Sequence, residues 1–363
     1  MRLLRLAVLL VLAVPGVLRA QNALPPALVG SIDSVIGAAM EKQHIPGLAL
    51  GVVKNGRLVL AKGYGLANVE LNVPVTPTTV FKIGSVSKQF LASGIMMLVQ
   101  DGKLRLDDPI SRHVPGTPDS WKGITIRHFL DHTSGVLREG PAFQPLKVKA
   151  DSVVVASAFE KPLEFSIGAK WQYCNVCYFT IADIIRRVSG QLWPDFIRDR
   201  IFAPSGMTDS RTTTTTELVP RRADGYGWKD GSFVPAPEYL ALRPSGAFLS
   251  TVVDLAKWDS VLTAKNIITE ASWKEMAAPA KLANGSKALP SPRDTTIGYG
   301  LGWMTGELKG HEAVGHGGSL PGFRSQMTRY PGAGWAVIVL TNGQGANPTT
   351  IERDVASLIL GPD

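Results

Sequence analysis

The pattern of hydrophobic and polar positions divides the chain into strand-like ends and a helical middle. Near the N-terminus, two β-rich runs flank Asn55-Gly56, a pair that predicts a tight hairpin. Near the C-terminus, two similar runs flank Pro331-Gly332-Ala333-Gly334 and predict a second hairpin. The four runs are residues 48–53, 57–64, 323–330 and 335–341. This order predicts an α+β fold, with one antiparallel sheet built from both chain ends, flanked by helices, and a mainly helical insertion.

Helical periodicity dominates the middle of the chain. The most apolar helix opens near Ser85, is hydrophobic on most sides and ends at Asp101-Gly102, so we expect it to be buried. Residues 225–246 are rich in Gly and Pro and are interpreted as a surface loop. Further helices are predicted at 31–43, 124–130, 176–189, 195–202, 251–262, 271–277 and 349–360, and further strands at 298–305 and 312–315.

The N-terminal segment differs from the rest of the chain. Residues 1–20 place Arg2 and Arg5 before an unbroken apolar run and end at the small residue Ala20. This pattern is typical of a secretory signal peptide. We therefore expect an exported protein, either periplasmic or extracellular.

Length and composition bound the architecture of the remainder. The chain has 363 residues, of which 45% are hydrophobic and 19% charged, and this suits a globular protein of one large or two domains. We expect residues 21–82 and 295–363 to form a discontinuous sheet domain. Residues 83–294 are expected to form the helical domain that carries the helix at Ser85.

Charge excludes some classes of partner. Loss of residues 1–20 removes three arginines and no acid, so the net charge falls from +8 to +5. The remaining Lys and Arg are scattered, which does not predict a nucleic-acid surface. No later segment is long and apolar enough to span a bilayer. We expect a small-molecule or peptide substrate as the partner, and the sequence leaves the oligomeric state open.

The two cysteines, Cys174 and Cys177, are spaced C-x-x-C. In an exported protein they form either a disulfide or two small buried residues at a helix start, and both interpretations stay open here. Two cysteines alone do not complete a zinc site.

Ser85-Val86-Ser87-Lys88 is the first candidate for chemistry. Residues three apart share a helix face, so the Ser85 hydroxyl and the Lys88 ammonium are expected to lie side by side at the first turn. An adjacent ammonium is one way to activate a serine nucleophile. The alternative is a helix cap at Ser85 followed by a solvated lysine.

Two further segments carry candidate groups. Tyr173 and Asn175 are two residues apart before a predicted helix, so a phenol and an amide face one space, or else serve as packing and an N-cap. His316-Gly317-Gly318-Ser319 is interpreted as a Gly-rich turn after a strand. Its histidine is a candidate for binding a substrate carboxylate or relaying a proton, or else is incidental to the turn. Backbone N–H groups of Ser85 and Ser319 are candidates for an oxyanion hole.

Other chemistry finds little support. His128 and His132 are four apart on a predicted helix, but no acid accompanies them as in H-E-x-x-H, so a structural role is favoured over metal binding. No serine lies in a G-x-S-x-G elbow. No phosphate-binding glycine motif lies between a strand and a helix.

Taken in order, these motifs resemble the penicillin-recognising serine hydrolases. That superfamily includes class C β-lactamases, D-alanyl-D-alanine carboxypeptidases and β-lactamase-like esterases, and the resemblance covers most of residues 44–345. The segments that carry it are residues 81–88, Leu130-Asp131-His132-Thr133-Ser134-Gly135, Tyr173-Cys174-Asn175, residues 245–251, Tyr299-Gly300-Leu301-Gly302-Trp303, His316-Gly317-Gly318 and Pro321-Gly322-Phe323.

The resemblance implies a β-lactamase-like fold and a role for each motif. Ser85 is implied as the nucleophile, Lys88 as its activating partner and Tyr173 as general base and acid. The residues implied to bind the substrate are Asn175, His316, Gly317 and Gly318. The backbone N–H groups of Ser85 and Ser319 are implied as the oxyanion hole. An acyl-enzyme forms on Ser85 and is released by water, with no metal or cofactor.

Three positions depart from the pattern of these relatives. His316 replaces a lysine and Gly317 a threonine or serine, so the fixed charge available for a β-lactam carboxylate is weaker. Cys174 replaces a serine. We therefore expect an exported serine hydrolase that acts on a D-alanyl peptide, a D-amino-acid peptide or a small ester. The alternatives are a class C β-lactamase and a catalytically silent relative that binds envelope peptide.

Overall fold

The computed structural model describes residues 24–147, 149–212, 217–238, 244–291 and 294–361. The predicted signal peptide lies outside these residues. The predicted division into domains after residues 82 and 294 stays a prediction.

The two ends of the chain form one antiparallel sheet, as the pattern of apolar runs predicts. Eight strands follow the order β3-β2-β1-β12-β11-β10-β9-β8, with antiparallel pairing at every step. Two small two-stranded sheets, β4 with β7 and β5 with β6, lie apart from it. The strands are β1 (Gly47–Lys54), β2 (Arg57–Asn68), β3 (Val73–Pro74), β4 (Phe81–Lys82), β5 (Tyr226–Lys229), β6 (Ser232–Pro235), β7 (Leu249–Ser250), β8 (Gly298–Tyr299), β9 (Met304–Leu308), β10 (His311–Leu320), β11 (Phe323–Tyr330) and β12 (Trp335–Thr341).

Helices cover both faces of this sheet and form the insertion. They are α1 (Pro26–Gln43), α2 (Lys88–Gln100), α3 (Ile110–His113), α4 (Ile126–Leu130), α5 (Asp151–Phe159), α6 (Asn175–Ser189), α7 (Trp193–Ile197), α8 (Val252–Ala264), α9 (Glu270–Ala277) and α10 (Pro348–Ile359). Short 3₁₀ segments lie at Gly84–Ser87, Asp119–Trp121 and Pro331–Ala333, and a π-helical turn at Arg198–Phe202.

Two hydrophobic cores follow from the alternation of side chains along the central strands. On one face of β1, Leu48, Leu50 and Val52 pack against α1 and α10. Ala49 and Val53 face the larger core, which contains α2, α6 and α8. Helix α2 is buried over most of its length, as its apolar pattern predicts. The first turn of α2 is therefore held between the sheet and the helical insertion.

Three local predictions are wrong. His316-Gly317-Gly318-Ser319 is not a turn after a strand but part of the ten-residue strand β10. The segment 225–246, predicted as loop, contains the hairpin of β5 and β6. The predicted strand 298–305 is two short strands, because Gly302 adopts a left-handed backbone (φ 78°) between them.

Within the described part of the chain, no helix is long and apolar enough to cross a membrane.

Candidate active site

A cavity of about 920 Å³ lies between strand β10 and the helical insertion. It brings together every side chain that the sequence singles out for chemistry except Lys88, which lies beneath its floor. The predicted site residues on its wall are Ser85, Tyr173, Asn175, His316, Gly317, Gly318 and Ser319.

The turn before α2 presses Ser85 against strand β10. Gly84 has a left-handed backbone (φ 53°), and a Cβ there would lie 2.7 Å from the Ser319 amide nitrogen. The Ser325 hydroxyl donates to the Ile83 carbonyl oxygen at 2.7 Å and fixes the same turn. Only glycine has no Cβ and also adopts this backbone conformation freely, so Gly84 allows the close approach of Ser85 to β10.

Lys88 is fully buried, and its ammonium is held by three oxygen atoms. Its Nζ donates to Ser85 Oγ at 3.3 Å, to Asn175 Oδ1 at 2.9 Å and to the Ser245 carbonyl oxygen at 2.8 Å. The side chain is therefore not the solvated lysine of the alternative interpretation. It is a buried cation whose charge reaches the Ser85 hydroxyl.

Tyr173 stands over this ammonium. Lys88 Nζ lies 4.6 Å from the centre of the Tyr173 ring and 5.1 Å from that of Tyr178. His132 packs on the Tyr173 ring at a centroid distance of 4.5 Å. The phenol is thus placed between the cation and the cavity, where a proton-transfer group is needed.

Asn175 begins helix α6 and links both sides of the cavity floor. Its Oδ1 accepts from Lys88, and its Nδ2 donates to Glu139 Oε1 at 2.5 Å. Cys174 and Cys177 form a disulfide across this helix start, with both residues buried. The disulfide therefore braces the segment that carries Tyr173 and Asn175.

A chain of hydrogen bonds runs behind the cavity through two histidines and a tyrosine. The backbone N–H of Cys174 donates to His132 Nδ1 at 3.2 Å, and His132 Nε2 lies 3.1 Å from Tyr299 Oη. Tyr299 Oη lies 2.9 Å from His316 Nε2, and His316 Nδ1 lies 2.6 Å from the Gly317 carbonyl oxygen.

The two backbone ends of this chain fix its direction. An amide N–H only donates and a carbonyl oxygen only accepts, so His132 Nδ1 is an acceptor and His316 Nδ1 carries a proton. Neutral His132 then donates from Nε2 to Tyr299, and Tyr299 donates to His316 Nε2.

The electrostatics agree with neutral histidines. Burial, followed by the charge of Lys88, lowers the pKa of His316 to about 3 and holds the pKa of His132 well below its usual range. His316 is therefore an uncharged residue with both ring nitrogens occupied.

Several residues of this site carry no clear signal in the sequence. Glu139 contacts Asn175 and belongs to no motif of the sequence, and Ser245, although part of the segment 245–251, carries no signal that its carbonyl oxygen accepts from Lys88. Tyr299 and His132 lie in motifs that support the family resemblance, although nothing in their spacing indicates that they share a hydrogen-bond chain. His132 lies beyond the end of α4, not on the predicted helix with His128, and has a left-handed backbone (φ 66°).

Across the described ranges, no three His, Cys, Asp or Glu residues are grouped so as to hold a metal ion.

Comparison with known proteins agrees with this geometry. A family model described as beta-lactamase matches residues 32–360, nearly the whole described chain. The chain belongs to the β-lactamase family of serine hydrolases. The family resemblance and the β-lactamase-like α+β fold expected from the sequence are both confirmed.

Two relatives from bacteria are moderately similar in sequence. Penicillin-binding protein 4* of Bacillus subtilis is 30% identical over 325 residues, which cover 83% of this chain and 69% of that protein. The protein flp of Staphylococcus aureus is 28% identical, and the match covers 62% of its length. The chain thus spans about two thirds of the length of these relatives.

Solved structures in the family superpose closely. The octameric penicillin-binding protein homologue from Pyrococcus abyssi is 29% identical with a TM-score of 0.82, covering 92% of this chain and 78% of that one. D-amino acid amidase from Ochrobactrum anthropi SV3, solved with D-phenylalanine, is 25% identical with a TM-score of 0.80, covering 92% and 99%.

Proposed function

We propose that this serine hydrolase forms an acyl-enzyme on Ser85 and acts on a D-alanyl peptide, a D-amino-acid peptide or a small ester. The observation that carries the proposal is the Lys88 ammonium, buried and hydrogen-bonded to Ser85 Oγ and Asn175 Oδ1. A buried ammonium beside a hydroxyl favours the alkoxide that attacks a carbonyl.

The reaction has two halves. Ser85 Oγ attacks the substrate carbonyl carbon while Tyr173 accepts the hydroxyl proton and passes it to the leaving group. The oxyanion is bound by the backbone N–H groups of Ser85 and Ser319. Water then attacks the ester on Ser85 while Tyr173 takes a proton from it. Tyr173 passes this proton to Ser85 Oγ as the acyl group leaves. Asn175 orients the substrate from the opposite wall.

The chemistry of strand β10 supports a small ester, or a peptide whose leaving group has no carboxylate, over a β-lactam. His316 is neutral with both nitrogens occupied, and Gly317 has no hydroxyl. Position 316 therefore supplies no charge to a β-lactam carboxylate, whereas the lysine of other family members does. The similarity to D-amino acid amidase and to Penicillin-binding protein 4* also supports this proposal.

We further propose that the protein is exported. The support is the charged and then apolar pattern of residues 1–20. N-terminal sequencing of the protein secreted or released from the periplasm tests this, and a retained Met1 contradicts it.

A reagent that acylates or phosphonylates serine tests the nucleophile. Mass spectrometry after exposure to a fluorescent penicillin or a fluorophosphonate is expected to show an adduct on Ser85, absent from Ser85→Ala. The lack of an adduct with both reagents contradicts the acyl-enzyme and supports the silent relative. Nitrocefin, p-nitrophenyl butyrate and a D-Ala-D-Ala peptide then rank the substrates, and rapid nitrocefin turnover overturns the preference stated here.

A further inference from the structure

The cavity carries a cation that the proposed chemistry does not use. Arg324, on strand β11, lines the same cavity as Ser85. Its side chain is half-buried, and its Nη1 donates to the carbonyl oxygens of Leu320 and Phe323 at 2.8 and 2.9 Å. Within the described residues no carboxylate pairs with it. Burial lowers the pKa of Arg324, so the charge is partly desolvated and meets only carbonyl oxygens among the described residues.

The position of Arg324 relative to Ser85 follows from the strand register. Arg324 is the direct cross-strand partner of Ser319, whose amide is the proposed oxyanion donor. Side chains of such a pair lie on the same face of the sheet, about 5 Å apart at Cβ. Ser325, the next residue, faces the turn at Ile83, so Arg324 and Ser319 leave the sheet on its other face, to which the cavity lined by Ser85 extends.

The strand also shows which part of a substrate reaches Arg324. His316, near Tyr173, marks the end of the cavity where the leaving group takes its proton, with ring centroids 6.2 Å apart. Ser319 is three residues further along β10, about 10 Å away at the usual rise per residue. A group near Arg324 is consequently on the acyl side of Ser85, away from Tyr173.

The other cation on the cavity wall lies at the opposite end. Arg138 stacks over the Tyr173 ring at 5.0 Å, on the leaving-group side. His316 contributes no charge. On the acyl side, Arg324 is thus the positively charged side chain that the described structure offers.

We propose that Arg324 forms an anion subsite on the acyl side of Ser85, which selects acyl donors whose acyl group carries a carboxylate. The proposal rests on the acyl-enzyme function given above. A guanidinium binds a carboxylate through two parallel N–H···O bonds, and the Nε and Nη2 groups of Arg324 have no partner among the described residues.

Matched esters test the subsite. The substrates are p-nitrophenyl hydrogen adipate, with a carboxylate on the acyl group, and p-nitrophenyl hexanoate, which has the same chain length without it. We expect kcat/KM to favour the adipate, and Arg324→Gln to lower the adipate-to-hexanoate ratio about 10- to 100-fold. Arg324→Lys is expected to recover part of the ratio. Arg353→Gln, on the outer part of α10, is the control and should keep it.

The opposite result is equally defined. A ratio that Arg324→Gln does not change overturns the subsite, whatever the absolute rates. A preference for a carboxylate on the leaving group, measured with 4-(hexanoyloxy)benzoate against phenyl hexanoate, overturns the subsite if Arg324→Gln abolishes it, because Arg324 would then act at the other end of the cavity; a preference that Arg324→Gln leaves unchanged is expected from Arg138. Increasing ionic strength should reduce the adipate preference of the wild type but not its hexanoate rate.

Binding to an inactive variant separates this proposal from the proposed function. Calorimetric titration of Ser85→Ala with adipic acid monoamide and with hexanamide needs no turnover. Tighter binding of the monoamide that disappears in Ser85→Ala/Arg324→Gln supports the subsite even if no ester is hydrolysed. Equal affinities for the two amides contradict the subsite even if Ser85 is acylated.

Discussion

At the residue scale, Lys88 concentrates the most interactions in the site. Three oxygen atoms and two aromatic faces surround one buried ammonium. Such a charge is held only where its hydrogen bonds are complete, because unpaired burial is costly. The same contacts that keep the cation in place therefore direct it at Ser85.

Replacing Lys88 with methionine tests this arrangement. We expect kcat/KM for p-nitrophenyl butyrate to fall about 10²- to 10⁴-fold, the range typical for loss of a positioned proton-transfer or activating group. Lys103→Met removes an exposed lysine just beyond α2 and serves as the control. Steady-state kinetics of both variants decide the matter, and a Lys88→Met enzyme within threefold of the wild type contradicts the role.

Tyr299 is the second residue whose replacement is informative. Tyr299→Phe removes the donor to His316 Nε2 and the acceptor for His132 Nε2–H, while the ring volume stays. Because the donor stabilises neutral His316, its loss should raise the pKa of His316 from about 3, although Lys88 still opposes protonation.

The expected consequence is a new dependence on pH. For the wild type, kcat/KM should show no His316 titration between pH 4 and 8. For Tyr299→Phe, kcat should fall about tenfold. In addition, kcat/KM should decrease at acidic pH, since protonation of His316 disturbs the orientation of its ring. Identical pH profiles for the two enzymes would show that this chain of hydrogen bonds has only a structural role. Thermal melting of the variant checks that it remains folded.

At the element scale, the turn into α2 illustrates what a sequence pattern can and cannot give. The apolar helix, its glycine end and the Ser85–Lys88 spacing are all readable from local periodicity. The strand β10 is not, because three glycines in sequence carry little strand propensity. Gly315, Gly317 and Gly318 lie in the strand because they pair with β11, and Gly318 also contacts the turn at Ile83, a residue more than 200 positions away in the sequence.

Two glycines with similar backbones test the role of this turn. Gly84 and Gly102 both have φ above 50°, but a Cβ at Gly84 meets Ser319 at 2.7 Å whereas one at Gly102 meets nothing within 4 Å. Gly102→Ala is expected to cost about 1 kcal/mol of stability through backbone strain, and Gly84→Ala more, because the backbone atom at 2.7 Å must also move. Only Gly84→Ala should also lower kcat/KM, by at least tenfold, because Ser85 and β10 are forced apart.

The measurements are urea unfolding and ester hydrolysis on both variants. If Gly102→Ala loses as much activity as Gly84→Ala, the loss reflects general destabilisation and not the position of Ser85. If neither loses activity, the close approach of this turn to β10 is not needed for the reaction.

At the scale of the whole molecule, the two hairpins and the alternation of their apolar residues are sufficient to predict the sheet. They specify local pairing and two buried faces. The order of the eight strands depends on long-range pairing, above all β1 with β12, which no local pattern records. The residues of the site divide in the same way into those that the sequence predicts and those that it does not. Ser85, Lys88, Tyr173 and Asn175 lie in recognisable motifs, while Glu139 and Arg324 join them only through the fold.

The face of the sheet away from the cavity contains a buried acid that makes stability depend on pH. Glu352 on α10 accepts a hydrogen bond from the Tyr330 hydroxyl at 2.8 Å and is almost fully buried. Burial raises the pKa of its carboxyl from 4.5 to about 7. Folding therefore favours the protonated form, so its contribution to stability is complete below pH 4.5 and is lost as pH rises towards and through 7.

Glu352→Gln should remove this contribution, since the amide keeps the shape without a charge to bury. A pKa difference of this size corresponds to about 3 kcal/mol of unfolding free energy between pH 4.5 and 8. Urea unfolding at both pH values is expected to give a smaller difference for Glu352→Gln than for the wild type. Glu41→Gln, on the exposed side of α1, should leave the difference unchanged.

Equal pH dependence in Glu352→Gln and the wild type would mean that Glu352 ionises in the folded protein without cost. The loss would then have to come from the other raised carboxyls, Asp131 and Asp151, which the same measurement on their amide variants distinguishes.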